Sequence, residues 1–361
     1  MATESEYSSL FELVKALTEL PGPIGHEQPV NDFLQDRWLS RTERVWQTPV
    51  GNLFAFVGGK GPRLLIGGHA DEICLMVKSI TDDGFLHLSI WNADREGRPP
   101  KWLFPIGQRA LVVGPARPVY GIFATGTGHA ASQAQREKPR PDWNDIFVDL
   151  GLRSRAEVAA RGVRVGHRVI WNPATQRLGD AFIVGKAMDN RAALAIMTAL
   201  LDALDPAALA YELYFASTVL EETGLEGAHS VAREGEFDQA IALDVGLAGD
   251  IPTVDLLDVP VRLGDGPVVV HQDSEIHYSR AISNRLIALA EREAVPIQHA
   301  VFQRYASDGA AFIRQGVPTA LLAFPTRYTH SPFETVHEND LALTVRLLKA
   351  YVQTDPSTLP H

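Results

Sequence analysis

The chain carries one cysteine, Cys74, in 361 residues. No intrachain disulfide can form, which suits a reducing compartment, and the expected location is cytoplasmic. Zinc sites built on cysteine are excluded by the same count, so any metal must be held by histidine and carboxylate groups. Cys74 lies in an apolar run and reads as a small buried hydrophobe. Positive charge is in deficit: 33 Lys and Arg against 44 Asp and Glu give a formal net charge of -11. A non-specific nucleic-acid binder needs a basic face, so no nucleic-acid partner is expected. Long apolar runs are missing too. None reaches the roughly 18 residues of a membrane span, so no membrane partner is expected. The stretch from Met1 to Ser9 is polar and acidic, without the basic and apolar regions of a secretory signal. Also absent are a Gly-x-Ser-x-Gly elbow, a Walker A loop and a His-Glu-x-x-His helix.

What remains is an ordinary globular composition, 45% hydrophobic and 21% charged. The length allows one large domain and a smaller one. Apolar spacing predicts helices over Ser8 to Leu20, ended by Pro21-Gly22-Pro23, and over Gln28 to Leu39. Short strands follow at Asn52 to Val57 and Arg63 to Gly68. From residue 72 to 172 the texture changes to short apolar runs between turn signals, which predicts an inserted small β-barrel or PDZ-like domain. Within it, the polar stretch Gly126 to Trp143 reads as a loop. Beyond it, helices are predicted at Asp189 to Leu204, Gly227 to Arg233, Ser279 to Ala294 and Glu338 to Gln353. Strands are predicted at Tyr211 to Ser217, Gln239 to Leu243 and Thr319 to Ala323. Strands alternating with helices imply an α/β domain, 1-71 and 173-361, with a mostly parallel mixed sheet flanked by helices. Ligands of such sheets gather at the carboxyl ends of strands.

Several polar residues fall at those ends. His69 and Asp71 follow an apolar strand at a spacing of two, so an extended backbone points both to one side. Asp71 could hold the ring of His69 from behind or lie close to a metal. Asp189 stands at a helix start, where capping is the ordinary reading. Glu221 and Glu222 directly follow a buried strand; one can bind metal while the other faces a metal-bound water, or both can form an exposed acidic turn. Asp244 closes the strand Ile241-Ala242-Leu243, where a cap is the competing reading. His330 lies in Arg327-Tyr328-Thr329-His330-Ser331, a loop where a lone histidine is commonly structural. Each signal is modest alone. Together they balance: two divalent cations bring +4, and Asp189, Glu222, Asp244 and a bridging hydroxide bring -4. Mixed histidine and carboxylate ligands suit zinc, cobalt or manganese rather than calcium or magnesium.

The order His-x-Asp, Asp-Asn-Arg, Glu-Glu-x-Gly, Asp and Arg-Tyr-x-His resembles the tetrahedral, or glutamyl-type, aminopeptidases, di-metal peptidases of which some carry "endoglucanase" labels. The resemblance covers nearly the whole chain and includes Gly51-Asn52-Leu53 and Gly224-Leu225-Glu226-Gly227-Ala228. It implies that Asp189 bridges two metals, that His69 and Asp244 complete one site, and that Glu222 and His330 complete the other. Glu221 would be general base and acid, Asp71 would orient His69, and the Asp189-Asn190 peptide would be cis. The expected activity is removal of N-terminal residues from peptides through a hydroxide bridging two zinc or cobalt ions, with manganese as an alternative. The 72-172 insert would serve as lid and dimerisation domain, in a homo-oligomer built from dimers up to a dodecamer. Two places depart from the pattern: Gly126-Thr127-Gly128-His129 stands where relatives carry Pro-Pro-His, and glycine rather than alanine follows Asp308. Competing readings are another di-metal amidohydrolase or deacylase, a glycosidase using paired carboxylates without metal, and a metal-free assembly module.

Overall fold

The computed structural model describes residues 4–42, 44–90, 105–114, 117–126, 128–137 and 143–358. These form two compact units, Met1–Glu72 with Thr175–His361 and, separately, Ile73–Ala174.

The larger unit is built on an eleven-stranded mixed sheet. Its centre is a parallel block in the order Glu212–Thr218, Arg63–His69, Gln239–Leu247, Thr319–Arg327. Antiparallel strands flank the block, including Leu53–Gly58 on one side and Glu334–His337 on the other. Both faces are covered, as a parallel centre requires. Leu64, Ile66, Ile241, Leu243, Ala320 and Leu322 pack into one apolar cluster with residues of the helices Met188–Ala203, Arg280–Arg292 and Glu338–Gln353. The alternate residues Leu65, Ala240, Ala242, Leu321 and Ala323 pack on the other face with Ala310 and Phe312 of the helix Asp308–Arg314. The two-residue period therefore puts Gly67 and His69 on the face of Phe312. Gly67 and Gly68 let both layers close: a Cβ on Gly67 would lie 3.1 Å from the Phe312 ring, and one on Gly68 3.0 Å from the Ala193 Cβ.

The helices Gln28–Leu39 and Glu338–Gln353 have the bounds the sequence predicts. The first helix, Glu4–Glu19, starts a turn earlier than its apolar spacing indicates. Gly227 to Arg233 forms a 3-10 helix, Ala228–Arg233. Two central strands run further than expected. Gln239–Leu247 continues past Asp244, which lies inside the strand rather than at its end, and Thr319–Arg327 pairs with it from Ala240 to Leu247. Pro325, a loop signal by composition, sits inside the latter strand. Antiparallel pairing on its other side stops at Ala323 and resumes at Thr326, so no partner strand faces the proline there.

The second unit is a closed barrel in the order Leu75–Ile80, Leu86–Ile90, Phe147–Asp149, Val119–Ala124, Arg109–Val113, Arg168–Trp171. Val77, Leu86, Val112, Phe123, Val148 and Val169 fill its core. The stretch read as a loop holds a short helix, Gln133–Glu137, and a 3-10 turn, Gly128–Ala130. Thr127, in the departing quartet, and residues 138–142 lie outside the described residues, as do Met1–Thr3 of the N-terminal reading.

Candidate metal centre

The strand Arg63–His69 ends on His69, whose side chain is 1% exposed. Its Nδ1 lies 3.2 Å from the carbonyl oxygen of Asp71 and 3.5 Å from Asp71 Oδ1. With Nδ1 occupied in this way, Nε2 is the free donor atom. It lies 3.1 Å from Asp189 Oδ1 and 3.7 Å from Glu221 Oε2. Asp71 has a second task that its spacing does not announce. Its Oδ1 accepts the backbone N–H of Glu221 at 3.0 Å, and its Oδ2 that of Glu222 at 3.1 Å. One carboxylate thus sets the ring of His69 and the turn that carries both glutamates.

Asp189 stands in the first turn of Met188–Ala203, after Ala187 at φ 55°, and the Asp189-Asn190 peptide is cis. Its two oxygens face different histidines: Oδ1 toward His69, and Oδ2 3.4 Å from Nε2 of His330. That same His330 nitrogen is 3.3 Å from Glu222 Oε2. His330 is the open member, with a side chain 50% exposed. Leu220, just before the glutamates, and His330 itself have φ of 58° and 62°. Left-handed backbone at non-glycine residues is uncommon and clusters at functional sites. Asp244 projects from within its strand, and its Oδ1 accepts its neighbour Val245 N–H at 2.7 Å. All seven residues expected from the sequence therefore lie in the larger unit. His69, Glu221 and Asp244 bring ligand atoms within 4.8 Å of one another, as do His69, Asp189 and Glu222.

The electrostatics show a surplus of buried negative charge. Burial, reinforced by Glu222, Asp244 and Asp308, pushes the Glu221 carboxyl well up against the opposing pull of His69. Burial and the Asp189 charge do the same to Asp244, and burial raises Glu222 in spite of His330. Asp189 is the exception: burial alone would raise it, but hydrogen bonds from His330 and His69 hold it below the usual range. Burial opposes charge on His69, yet Glu221 and hydrogen bonds to Asp189 and Asp71 raise it well above an ordinary imidazole. His330 is raised chiefly by Glu222. In the polypeptide alone, protons on the histidines offset the carboxylates. Divalent cations would do so without protons. The donor set fits them. Ligands about 2.1 Å from a tetrahedral zinc lie about 3.4 Å apart, and His69–Asp189, His330–Asp189 and His330–Glu222 are separated by 3.1, 3.4 and 3.3 Å.

Two further residues support the site: Glu334, which a reading by sequence misses, and Asp308, which it names only for the glycine that follows. Glu334 accepts the backbone N–H of Asp189 at 3.0 Å through Oε2 and that of His330 at 2.6 Å through Oε1. Burial and the Asp189 charge push it up to about 8. Its signal was only a carboxylate four residues after His330. Asp308 accepts a short hydrogen bond from the Thr218 hydroxyl, and Thr218 is paired in register with His69. Burial raises Asp308 to about 6.

A family model for the M42 glutamyl aminopeptidases matches residues 51–347. A lysyl aminopeptidase of Pyrococcus furiosus is 28% identical over 347 residues, covering 95% of this chain and 96% of its own. Among solved structures, the aminopeptidase APDkam598 of the archaeon Desulfurococcus kamchatkensis superposes with a TM-score of 0.88 at 30% identity, covering 97% of this chain and 96% of that one. The Pyrococcus horikoshii TET1 peptidase, which can assemble into a tetrahedron or a large octahedral shell, superposes with a TM-score of 0.83 at 26% identity, over 95% and 99% of the two chains.

Proposed function

The chain belongs to the M42 glutamyl aminopeptidase family and is a peptidase; from that premise we propose that it is a metal-dependent aminopeptidase that removes N-terminal residues from peptides. The observation that carries this reading is the shared carboxylate of Asp189, whose two oxygens face His69 and His330 separately. His69 and Asp244 would hold one divalent cation, Glu222 and His330 a second, and Asp189 both. Zinc or cobalt suits these ligands, with manganese as an alternative. When bound, two such cations would supply Lewis acidity, acidifying the attacking water and polarising the scissile carbonyl.

The remaining work falls to the polypeptide. A carboxylate oxygen of Glu221 takes a proton from the attacking water and returns it to the departing amine. Asp71 keeps Glu221 in place through its backbone N–H and aligns His69. Glu334 fixes the backbones of Asp189 and His330 relative to each other, so two ligands from distant parts of the chain keep their spacing. We also place the protein in the cytoplasm as a homo-oligomer built from dimers and able to reach a dodecamer, with the 72-172 insert as lid and dimerisation domain. The single cysteine and the shell formed by the Pyrococcus horikoshii relative support this part.

The test is hydrolysis of a panel of aminoacyl-p-nitroanilides with cobalt, zinc or manganese, against a chelated control. Metal-dependent release from free substrates, with none from N-acetylated ones, is expected. No release with any metal, from protein that still binds two metal equivalents, would instead favour another di-metal amidohydrolase or a requirement for longer peptides.

A further inference from the structure

Beside the ligands themselves, the larger unit buries a trio of charged side chains, Glu72, Lys186 and Arg191. The Lys186 ammonium donates to both carboxylate oxygens of Glu72 at 2.8 Å and to the carbonyl oxygen of Leu20 at 3.2 Å. The Arg191 guanidinium donates to the carbonyl oxygens of Leu17 and Gly22 at 2.9 and 3.2 Å, and it lies 3.7 Å from Glu72 Oε1. That same carboxylate oxygen accepts the backbone N–H of Gly22 at 3.1 Å. Burying such charges is costly, and apolar side chains of similar volume are often as stable or more so. Stability alone therefore gives little reason for the trio.

Its place in the chain gives one. Glu72 directly follows Asp71, on the segment that carries His69. Lys186 and Arg191 stand on either side of Asp189, at the two ends of the turn that passes through left-handed Ala187 and opens the helix Met188–Ala203. Glu72 thus grips the Asp189 turn before and after that residue, from the side of His69. Glu334 grips it from the side of His330, by accepting the backbone N–H groups of both Asp189 and His330. A carboxylate shared between two histidines needs a fixed spacing to each, and each histidine's own segment supplies one buried glutamate for that purpose. We infer that Glu72 is a positioning residue: through Lys186 and Arg191 it sets the spacing of 3.1 Å between His69 Nε2 and Asp189 Oδ1 for the cation the two would share. The inference rests on the metal-dependent reading and extends it to a residue that touches no metal.

The test is the double variant Glu72→Gln with Lys186→Met in the full chain. It removes the ion pair without leaving either charge buried alone, and it keeps an acceptor for the Gly22 N–H. Cobalt is titrated into wild-type and variant protein at a temperature where circular dichroism shows both folded. The expected result is cobalt affinity about 10- to 100-fold weaker in the variant. The visible absorption spectrum of the bound cobalt should change as well, because the donors at His69 and Asp189 shift. Wild-type affinity and spectrum in the folded variant, whatever its thermal midpoint, would leave the trio a structural role and overturn the inference. Glu72→Asp keeps all three charges and withdraws the carboxylate by one methylene. Should the double variant not fold, Glu72→Asp decides in the same way, by the same weakening and spectral change or by wild-type values; failure of both variants to fold would also assign the trio to stability and overturn the inference. No cobalt bound by the wild-type protein would overturn the metal-dependent reading, and this inference with it.

Discussion

Asp189 has two carboxylate oxygens, and the fold gives each a different histidine. Glu221 lies 3.7 Å from His69 and clusters with Asp244, and the proposed mechanism leaves it free to move a proton. Glu221→Gln keeps the shape and removes the base. It should lower kcat by about 10²- to 10⁴-fold while the protein still binds two metal equivalents, measured by elemental analysis after gel filtration. Equal loss of metal and activity would make Glu221 a ligand instead. Asp71 never needs to touch a metal to matter. Asp71→Asn loses acceptor capacity toward the Glu221 and Glu222 N–H groups and toward His69. Metal affinity should weaken about 10- to 100-fold, read by competition with a chelating dye; unchanged affinity would show that the His69 ring and the glutamate turn hold themselves.

At the scale of elements, the site depends on how closely the helix Met188–Ala203 approaches the His69 strand. Gly68 makes that approach: its missing Cβ would come within 3.0 Å of Ala193 and 3.5 Å of Asn190 Nδ2. Gly68→Val should destabilise by about 1–3 kcal/mol through overpacking and displace Asp189, so both the thermal midpoint and metal affinity should fall; wild-type values for both would mean that the layers can part without cost. The last helix has its own electrostatic device. Asp340, fully buried at its start, accepts N–H groups of Gly264 and Gly266 at 2.7 and 2.9 Å. Burial nevertheless raises its pKa from the ordinary carboxylate range to about 7. The native state then binds a proton more tightly than the unfolded chain. The stabilising contribution is full below about pH 4 and is lost as pH rises through about 7. In urea titrations, Asp340→Asn should remove that part of the pH dependence between pH 4 and 7, and an unchanged profile would show that Asp340 is already ionised there.

For the molecule as a whole, cations held as proposed would be ligands of the native state and would stabilise it. At a free metal concentration about a thousand times Kd the gain is about 4 kcal/mol. Chelation should therefore lower the thermal midpoint, and cobalt, zinc or manganese should restore it. A midpoint indifferent to chelator would separate the carboxylate cluster from metal binding altogether. Light scattering on the intact chain then reads the assembly: a monomer at micromolar concentration would remove the proposed oligomer.

Much of this was legible in the sequence because it is written in local periods. Helical spacing marks Gln28–Leu39 and Glu338–Gln353, and a buried run marks the strand that delivers His69. The ordered set His69, Asp71, Asp189, Glu221, Glu222, Asp244 and His330 could be named because each follows an apolar strand or opens a helix, where α/β sheets collect ligands. Composition alone removed disulfides and cysteine metal sites. Tertiary structure decided what depends on residues far apart in the chain. Pairing between Gln239–Leu247 and Thr319–Arg327 carried both strands beyond their apolar cores, past Asp244 and through Pro325. Glu334 gained its place by reaching two backbones 141 residues apart, from Asp189 to His330. Periodicity is a property of neighbours along the chain, whereas satisfaction of a hydrogen bond is a property of neighbours in space.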